Sequence, residues 1–513
     1  MKKSMKRQLL TLLIIFHGNL LLGQTSLNEI NLNHGDYKVG FKHYTVSDST
    51  RTYSRAYEYT NHKIARPIPV SIWYPSEQKL GNKSPLQVLN YFEILKEEEE
   101  WENLPNDQLL NWFYYPNTPE NQLHLKEQTK AYSEIDFAKG KFPVIIYTAS
   151  FQASSIENFA LCEFLASHGY LVISSPSRGT DTRWFSNNLA MEIETQARDV
   201  EFLIKEAGNL AIADYSKFAV MGFSFGGLSN IIAQMRNDRI KAIVSLDGTE
   251  RYQYELLEKS LSFNLDKMDV PYLHMAQKDI PDIVLKEDKI APELNSKFVL
   301  YDSVRKGQTY RLKFHHLTHS YFSSLGILFS ERDPRQDKSD PEIMESYKWV
   351  SNYTLNFLNA YLKEDENGMA FLETRPEENT SKEGLISQMV KQGERKVFSF
   401  QDFNDLASEQ NYENLFQLYS SILKEHPSLK LPEGNLNTIG LQLIFNPKTS
   451  QQGINVFQLA TKLYPNSANL YDSLAEGYLF LGNNEKAIES FQTSLNLNPN
   501  NQNAIIRLEQ LKN

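Results

Sequence analysis

The sequence has almost no cysteine, since its 513 residues contain a single one, Cys162. One cysteine excludes an intramolecular disulfide and a cysteine metal cluster, so the fold depends on its apolar core. Positive charge is also scarce: 53 basic residues face 63 acidic ones, for a net charge of −10. This balance, without any basic stripe, argues against a nucleic-acid-binding protein.

Long apolar runs are missing after the N-terminus, so no later segment predicts a transmembrane helix. The first residues combine lysines and an arginine with an apolar run over 9–16 and a small residue, Gly23. This order predicts a signal peptide over 1–24. No cysteine follows the cleavage site directly, which argues against a lipoprotein anchor. We therefore expect an exported protein, periplasmic or extracellular.

Short apolar strands alternate with helices over residues 25–395, as expected for a mostly parallel α/β sheet with helices on both faces. The composition, 41% hydrophobic and 23% charged, is that of a globular protein long enough for several domains. We expect the strand over 310–314 to be the last of the sheet. The helix over 342–361 is expected to lie across the sheet edge.

A polar and aromatic insertion over residues 84–137 separates two of these strands. Its aromatic residues favour contact with something apolar, so it is either surface decoration or a cap over a pocket. They are Trp101, Trp112, Phe113, Tyr114 and Tyr115.

Residues 396–513 lose the strand pattern and contain helical pairs instead. Pro465 and Pro499 stand 34 residues apart, and the small and apolar residues between them have the spacing of a tetratricopeptide repeat (TPR). We expect a TPR-like helical domain that docks on the first domain or offers a surface to a protein partner.

The catalytic signal is Gly222-Phe223-Ser224-Phe225-Gly226-Gly227, which follows an apolar strand and precedes a helix. This G-x-S-x-G order is typical of a nucleophile elbow, where a strained turn lifts the serine hydroxyl out of the sheet. Side chains at 222 and 226 would collide with the neighbouring strand and helix, which predicts glycine at both.

Such a serine needs a base and an acid, which follow in the chain order Ser, Asp or Glu, then His. His319 lies in a loop after the last predicted strand, where a base can reach the serine. His315 and His316, nearer the strand end, are expected to have packing or solvent-facing roles. Asp247 and Asp279 both follow strands, and the pattern alone leaves either as the acid.

Residues 35–324 resemble the platelet-activating-factor acetylhydrolase-like branch of the dienelactone-hydrolase group of α/β-hydrolases. The resemblance implies Ser224 as nucleophile, His319 as base and Asp247 as the acid. Serine in place of the cysteine of dienelactone hydrolases points to ester chemistry. The residues that carry the resemblance are 69–75, 142–148, 165–172, 222–227, 240–248 and 318–323.

The oxyanion hole is expected to consist of the backbone N–H groups of Phe225 and Phe151. The family has Ser-His-Gly where this chain has Thr148-Ala149-Ser150, which departs from the family in the loop that positions Phe151. Arg178 and Trp184, in the loop after the strand over 170–174, are candidates for lining the substrate pocket.

The leading hypothesis is an exported serine hydrolase of carboxylic esters, acting on a small-molecule or lipid ester. No cofactor is expected, and no spacing of His, Asp or Glu predicts a metal site. One alternative is an inactive hydrolase-fold scaffold that binds partners through its TPR-like tail. The altered oxyanion loop favours this alternative. Another is a serine peptidase with the same triad. This alternative is less favoured, because the sequence shows no acidic cluster that could bind the amine of a peptide.

Overall fold

A computed structural model describes residues 26–58, 60, 62–287, 289–331, 333, 335–394 and 398–512. The predicted signal peptide lies outside the described residues. The chain divides into two compact units, Met1–Glu394 and Arg395–Asn513.

The first unit is built on one sheet, in which ten strands are described. The sheet order is β10-β9-β8-β7-β6-β4-β5-β2-β1-β3. The six strands from β9 to β5 in this order pair parallel with one another, whereas β2 pairs antiparallel with β1 and with β5. The strands are β1 Lys38–Tyr53, β2 Ile64–Ser76, β3 Ala131–Ser133, β4 Phe142–Thr148, β5 Leu171–Ser175, β6 Ala213–Phe223, β7 Ile240–Leu246, β8 Tyr272–Ala276, β9 Thr309–Phe314 and β10 Ile386–Lys391.

Buried residues alternate between the two faces of the central strands. In β6, Ala219 and Met221 belong to one apolar core, and Phe218 and Val220 belong to the other. Strands buried on both faces read as continuous apolar runs because each face is covered by helices. The parallel sheet predicted from such runs is therefore present.

Helices of the first unit cover both faces of this sheet. Helices α6 and α7 pack on one face, and α5 and α12 pack on the other. The helices are α1 Leu27–Ile30, α2 Val88–Glu98, α3 Leu109–Trp112, α4 Pro119–His124, α5 Phe159–Ser167, α6 Leu189–Ala207, α7 Phe225–Arg236, α8 Tyr254–Glu258, α9 Asp282–Glu287, α10 Val299–Ser303, α11 Ser324–Phe329, α12 Asp340–Leu362, α13 Glu366–Glu373 and α14 Pro376–Thr380.

Two expectations about the sheet edge were wrong. The strand β9 is not the last, because β10 pairs antiparallel with it. In β10 only Ile386 is buried, so this edge strand has no apolar run by which to recognise it. The helix α12 lies against the central strands β6 and β7 and not across the edge, since Tyr347, Val350 and Phe357 are all buried in the sheet core.

The second unit is entirely helical in its described part. Successive helices pack as neighbours around buried residues such as Phe457 and Phe491. The helices are α15 Phe400–Glu409, α16 Leu415–Glu425, α17 Glu433–Ile444, α18 Ser450–Leu463, α19 Ala468–Phe480, α20 Asn484–Leu497 and α21 Gln502–Lys512. Among the helices of the described residues, none combines the length and apolar character that crossing a membrane requires.

Candidate active site

Ser224 occupies the turn between β6 and α7 with φ 54° and ψ −119°. This region of backbone space is strained for a residue with a side chain. The flanking glycines explain how the turn closes. A Cβ at Gly222 would lie 2.5 Å from the carbonyl carbon of Gly226, and one at Gly226 would lie 2.1 Å from the Thr148 oxygen. The predicted crowding at both positions is therefore present.

Backbone hydrogen bonds tie this elbow to the next strand. The Ser224 N–H donates to the Leu246 oxygen at 3.1 Å, and the Thr249 N–H donates to the Ser224 oxygen at 3.0 Å. Asp247 lies between these two partners, so the position of the carboxylate is fixed relative to the serine by main-chain contacts.

His319 connects the serine and the aspartate. Its Nε2 lies 3.0 Å from Ser224 Oγ, and its Nδ1 lies 2.6 Å from Asp247 Oδ2. The ring packs against Phe223, with the ring centres 4.9 Å apart. The three residues proposed from the sequence are thus within hydrogen-bonding distance of one another in the order Asp, His, Ser.

The Asp247 carboxylate determines the tautomer of His319. Burial alone would raise the pKa of Asp247, but the hydrogen bond and charge of His319 and the Gln277 N–H outweigh it, so the net pKa is lowered. An ionised carboxylate only accepts hydrogen bonds, so Nδ1 carries the proton. Nε2 is then an acceptor that faces the serine hydroxyl.

The alternative residues lie elsewhere. The Asp279 side chain is 61% exposed and pairs with Lys313, with 2.6 Å between Oδ1 and Nζ. His315 lies 3.0 Å from the hydroxyl of Ser387 in the edge strand. Neither residue has a described contact with Ser224 or His319.

Phe225 and Phe151, the residues expected to supply the two N–H groups of an oxyanion hole, are in contact with each other. Phe225 begins α7, where the first N–H groups of a helix have no intrahelical acceptor. Phe151 follows β4, and its ring contacts that of Phe225 edge-on at 5.9 Å between centres. Among the described residues, no acceptor takes either N–H.

A buried carboxylate holds the loop that carries Phe151. Glu157 accepts hydrogen bonds from the Ser150 N–H, at 3.0 Å, and from the Ser150 hydroxyl. The Tyr147 hydroxyl donates to the same carboxylate at 3.1 Å. Burial raises the pKa of Glu157, and these donors oppose the rise. The departure from the family pattern at Ser150 thus comes with a partner that fixes the loop.

Ser224 and His319 open on a cavity of about 790 Å³. The insertion supplies one wall of it through Trp101, Asn111 and 112–115. Glu99 of the insertion lines the cavity as well. The remaining lining residues include Ser150, Phe151, Glu157, Arg183, Trp184, Phe223 and Leu325.

The two pocket candidates proposed from the sequence have different positions. Trp184 lines the cavity, but Arg178 is not among the lining residues. Its guanidinium is buried and donates to the main-chain carbonyl oxygen of Glu98. Arg183 lines the cavity instead and pairs with Glu99. Sequence reasoning missed Arg183, although it stands directly before Trp184.

Within the described residues, no group of three or more His, Cys, Asp and Glu side chains is arranged to hold a metal ion. No family model and no curated protein matches this sequence. Among solved structures, a ferulic acid esterase from Streptomyces cinnamoneus is similar to this chain, at 15% sequence identity and a TM-score of 0.49. The match covers 70% of this chain and 98% of that one. A similarity of this size carries no argument about activity.

Proposed function

We propose that the chain is a serine hydrolase that cleaves carboxylic esters through an acyl-enzyme. One observation carries the proposal: His319 lies 3.0 Å from Ser224 Oγ and 2.6 Å from the Asp247 carboxylate, and both His319 and Ser224 line a cavity. A serine hydroxyl becomes a nucleophile when an oriented base takes its proton, and these distances meet that need.

In the acylation step, Ser224 Oγ attacks the ester carbonyl carbon while its proton moves to His319 Nε2. The buried carboxylate of Asp247 stabilises the imidazolium that forms. The oxyanion accepts hydrogen bonds from the N–H groups of Phe225 and Phe151, each contributing about 3 kcal/mol. When the intermediate collapses, the bond to the alcohol oxygen breaks and His319 returns the proton to that oxygen.

In the deacylation step, water replaces the alcohol. His319 Nε2 takes a proton from water as its oxygen attacks the acyl carbon. The carboxylic acid leaves, and Ser224 regains its proton from His319. The same two N–H groups stabilise the second oxyanion, so one arrangement of residues serves both steps.

Three further features belong to this proposal. Residues 1–24 direct export to the periplasm or the medium. Residues 35–324 form a domain of the platelet-activating-factor acetylhydrolase-like branch, a proposal that the sequence resemblance described above supports. The second unit is a TPR-like domain, and its helix pairs offer a surface for a protein partner.

The test is hydrolysis of 4-nitrophenyl esters, from acetate to octanoate, by the mature chain and by Ser224→Ala. We expect the wild type to hydrolyse at least the short esters, and Ser224→Ala to lose about 10⁴-fold in kcat. A 4-nitroanilide peptide series run in parallel separates an esterase from a peptidase. Faster cleavage of amides than of esters would reassign the activity, and inactivity on both series would favour the scaffold alternative.

A further inference from the structure

The cavity next to Ser224 has an aromatic wall that is open to solvent. The rings of Tyr57, Trp101 and Trp112 contact one another in series, with centres 4.5 and 4.6 Å apart. Trp112 is 45% exposed, and Trp184 on the loop after β5 is 48% exposed. Large aromatic faces left in contact with water within a cavity are typical of a binding site for a flat ligand.

A buried ion pair accompanies these faces. Arg183 and Glu99 both line the cavity and pair with each other, with side chains only 6% and 9% exposed. The guanidinium carbon of Arg183 lies 4.5 Å from the centre of the Trp184 ring. Within the described chain, its buried Nε has no hydrogen-bond partner. A planar donor and a carboxylate acceptor therefore stand side by side next to the aromatic faces.

The charges of the lining residues exclude some classes of ligand. Arg183 is accompanied by Glu99 and Glu157, and among the residues that the structure describes no lysine lines the cavity. An anionic phosphate or carboxylate would meet no excess of positive charge, so the cavity is unsuited to a charged head group. A long alkyl chain gains most from an enclosed apolar channel, whereas these aromatic faces are open to solvent.

A sugar ring meets all of these conditions. Its C–H face stacks on an aromatic ring, and its hydroxyls donate to carboxylates and accept from guanidinium groups. We propose that the alcohol part of the ester is a carbohydrate, which stacks on Trp112 and Trp184 and directs hydroxyls to Arg183 and Glu99. This inference rests on the proposed ester hydrolysis at Ser224.

The reaction balances without a further reactant. The bond between the acyl carbon and a sugar oxygen breaks as Ser224 Oγ bonds to that carbon. The serine proton reaches the sugar oxygen through His319, which releases the sugar with a free hydroxyl. Water then releases the acid from Ser224.

The test compares two acetates of similar size on the full chain, a mono-O-acetylated methyl glucoside and cyclohexyl acetate. We expect kcat/KM to favour the sugar acetate by about ten-fold. Trp112→Ala and Trp184→Ala should each lower kcat/KM for the sugar acetate by about ten-fold. The loss should be clearly smaller for ethyl acetate, whose alcohol has no ring to stack on either tryptophan. Tyr215→Ala, in β6 far from the serine, is the matched aromatic control.

Equal rates on the two acetates would overturn the carbohydrate assignment, as would tryptophan variants that slow the sugar acetate and ethyl acetate alike. If the wild type hydrolyses no ester, the proposed function fails, and binding then decides the inference separately. In that case Ser224→Ala is titrated with the same mono-O-acetylated methyl glucoside by calorimetry. If Ser224→Ala binds the sugar and the double variant with Trp112→Ala does not, the sugar site is supported. If Ser224→Ala shows no heat of binding, the sugar site is rejected.

Discussion

The two sides of the cavity are built in different ways. On the sheet side, Ser224 and Asp247 follow adjacent parallel strands, and backbone hydrogen bonds hold them in place. On the side of the insertion, the wall depends on side chains, and its acidic residues reach back to the loops of the sheet. Glu98 accepts hydrogen bonds from Ser154 and Ser155, and Glu100 accepts from Ala56.

The difference explains why the sides have separate tasks. Backbone geometry at strand ends keeps reacting groups fixed whatever the ligand, which a covalent step requires. Side-chain contacts allow a wall to vary in shape while the scaffold stays unchanged. We therefore expect changes on the sheet side to affect kcat and changes in the wall to affect ligand choice and KM.

The largest effect should come from exchanging the acid. Asp247→Asn removes the acceptor that fixes the His319 tautomer, and kcat should fall by about 10⁴-fold. Asp279→Asn is the matched control, because Asp279 pairs with Lys313 at the surface, and it should retain kcat within about two-fold. The measurement is 4-nitrophenyl acetate hydrolysis. If Asp279→Asn lost esterase activity while Asp247→Asn kept it, the acid would have to be reassigned to Asp279.

The elbow and the acid show how far the sequence predicts the site. Ser224, its glycines and the strand before it carry a local pattern, and the structure brings His319 and Asp247 to it. The choice between Asp247 and Asp279 could not be made from spacing, since both follow strands. It required either the family resemblance or the hydrogen bond to His319.

A smaller effect is expected at the oxyanion loop. Glu157→Ala leaves the Ser150 N–H and hydroxyl without their acceptor, so the loop that carries Phe151 loses its anchor. We expect kcat to fall by about 10- to 100-fold with little change in KM, because the oxyanion forms only in the reaction. Glu157→Gln keeps one acceptor oxygen and should restore most of the rate. An equal fall of kcat in both variants, or a change in KM with kcat unaltered, would contradict this role.

The contact of the insertion with the loops of the sheet should have a milder effect on stability. Glu98→Ala deprives Ser154 and Ser155 of their buried acceptor, which should lower the free energy of unfolding by about 2 kcal/mol. Glu93→Ala, on the exposed face of the same helix, should change it by less than about 0.5 kcal/mol. Urea denaturation measures both. Equal stability in the two variants would show that the Glu98 contacts do not hold the insertion.

This contact was hidden in the sequence. Residues 97–100 are four glutamates in a row, and a run of like charges is normally exposed to solvent. Glu98 and Glu99 are instead buried, because their partners, Ser154, Ser155 and Arg183, come from loops distant in the chain. Partners that only the fold brings together leave no local signal. The edge strand β10 was missed for another reason, namely that it has no apolar run.

The smallest effect concerns acid stability. The folded pKa of Asp247 lies below its unfolded value, so the ionised group stabilises the fold above about pH 4. This stabilisation is lost as the pH falls through the folded pKa. Asp247→Asn should therefore narrow the difference in unfolding free energy between pH 7 and pH 3, measured by urea denaturation. An unchanged or larger difference would contradict the lowered pKa.

The most direct test of the account is labelling of the protein with a fluorophosphonate probe, followed by mass spectrometry of its peptides. The probe reacts with a serine only when a base has activated it. The account predicts a single label on Ser224 in the wild type and none there in Ser224→Ala, with Asp279→Asn labelled like the wild type. An unlabelled wild type, or a label on another serine, would contradict the claim that His319 and Asp247 activate Ser224.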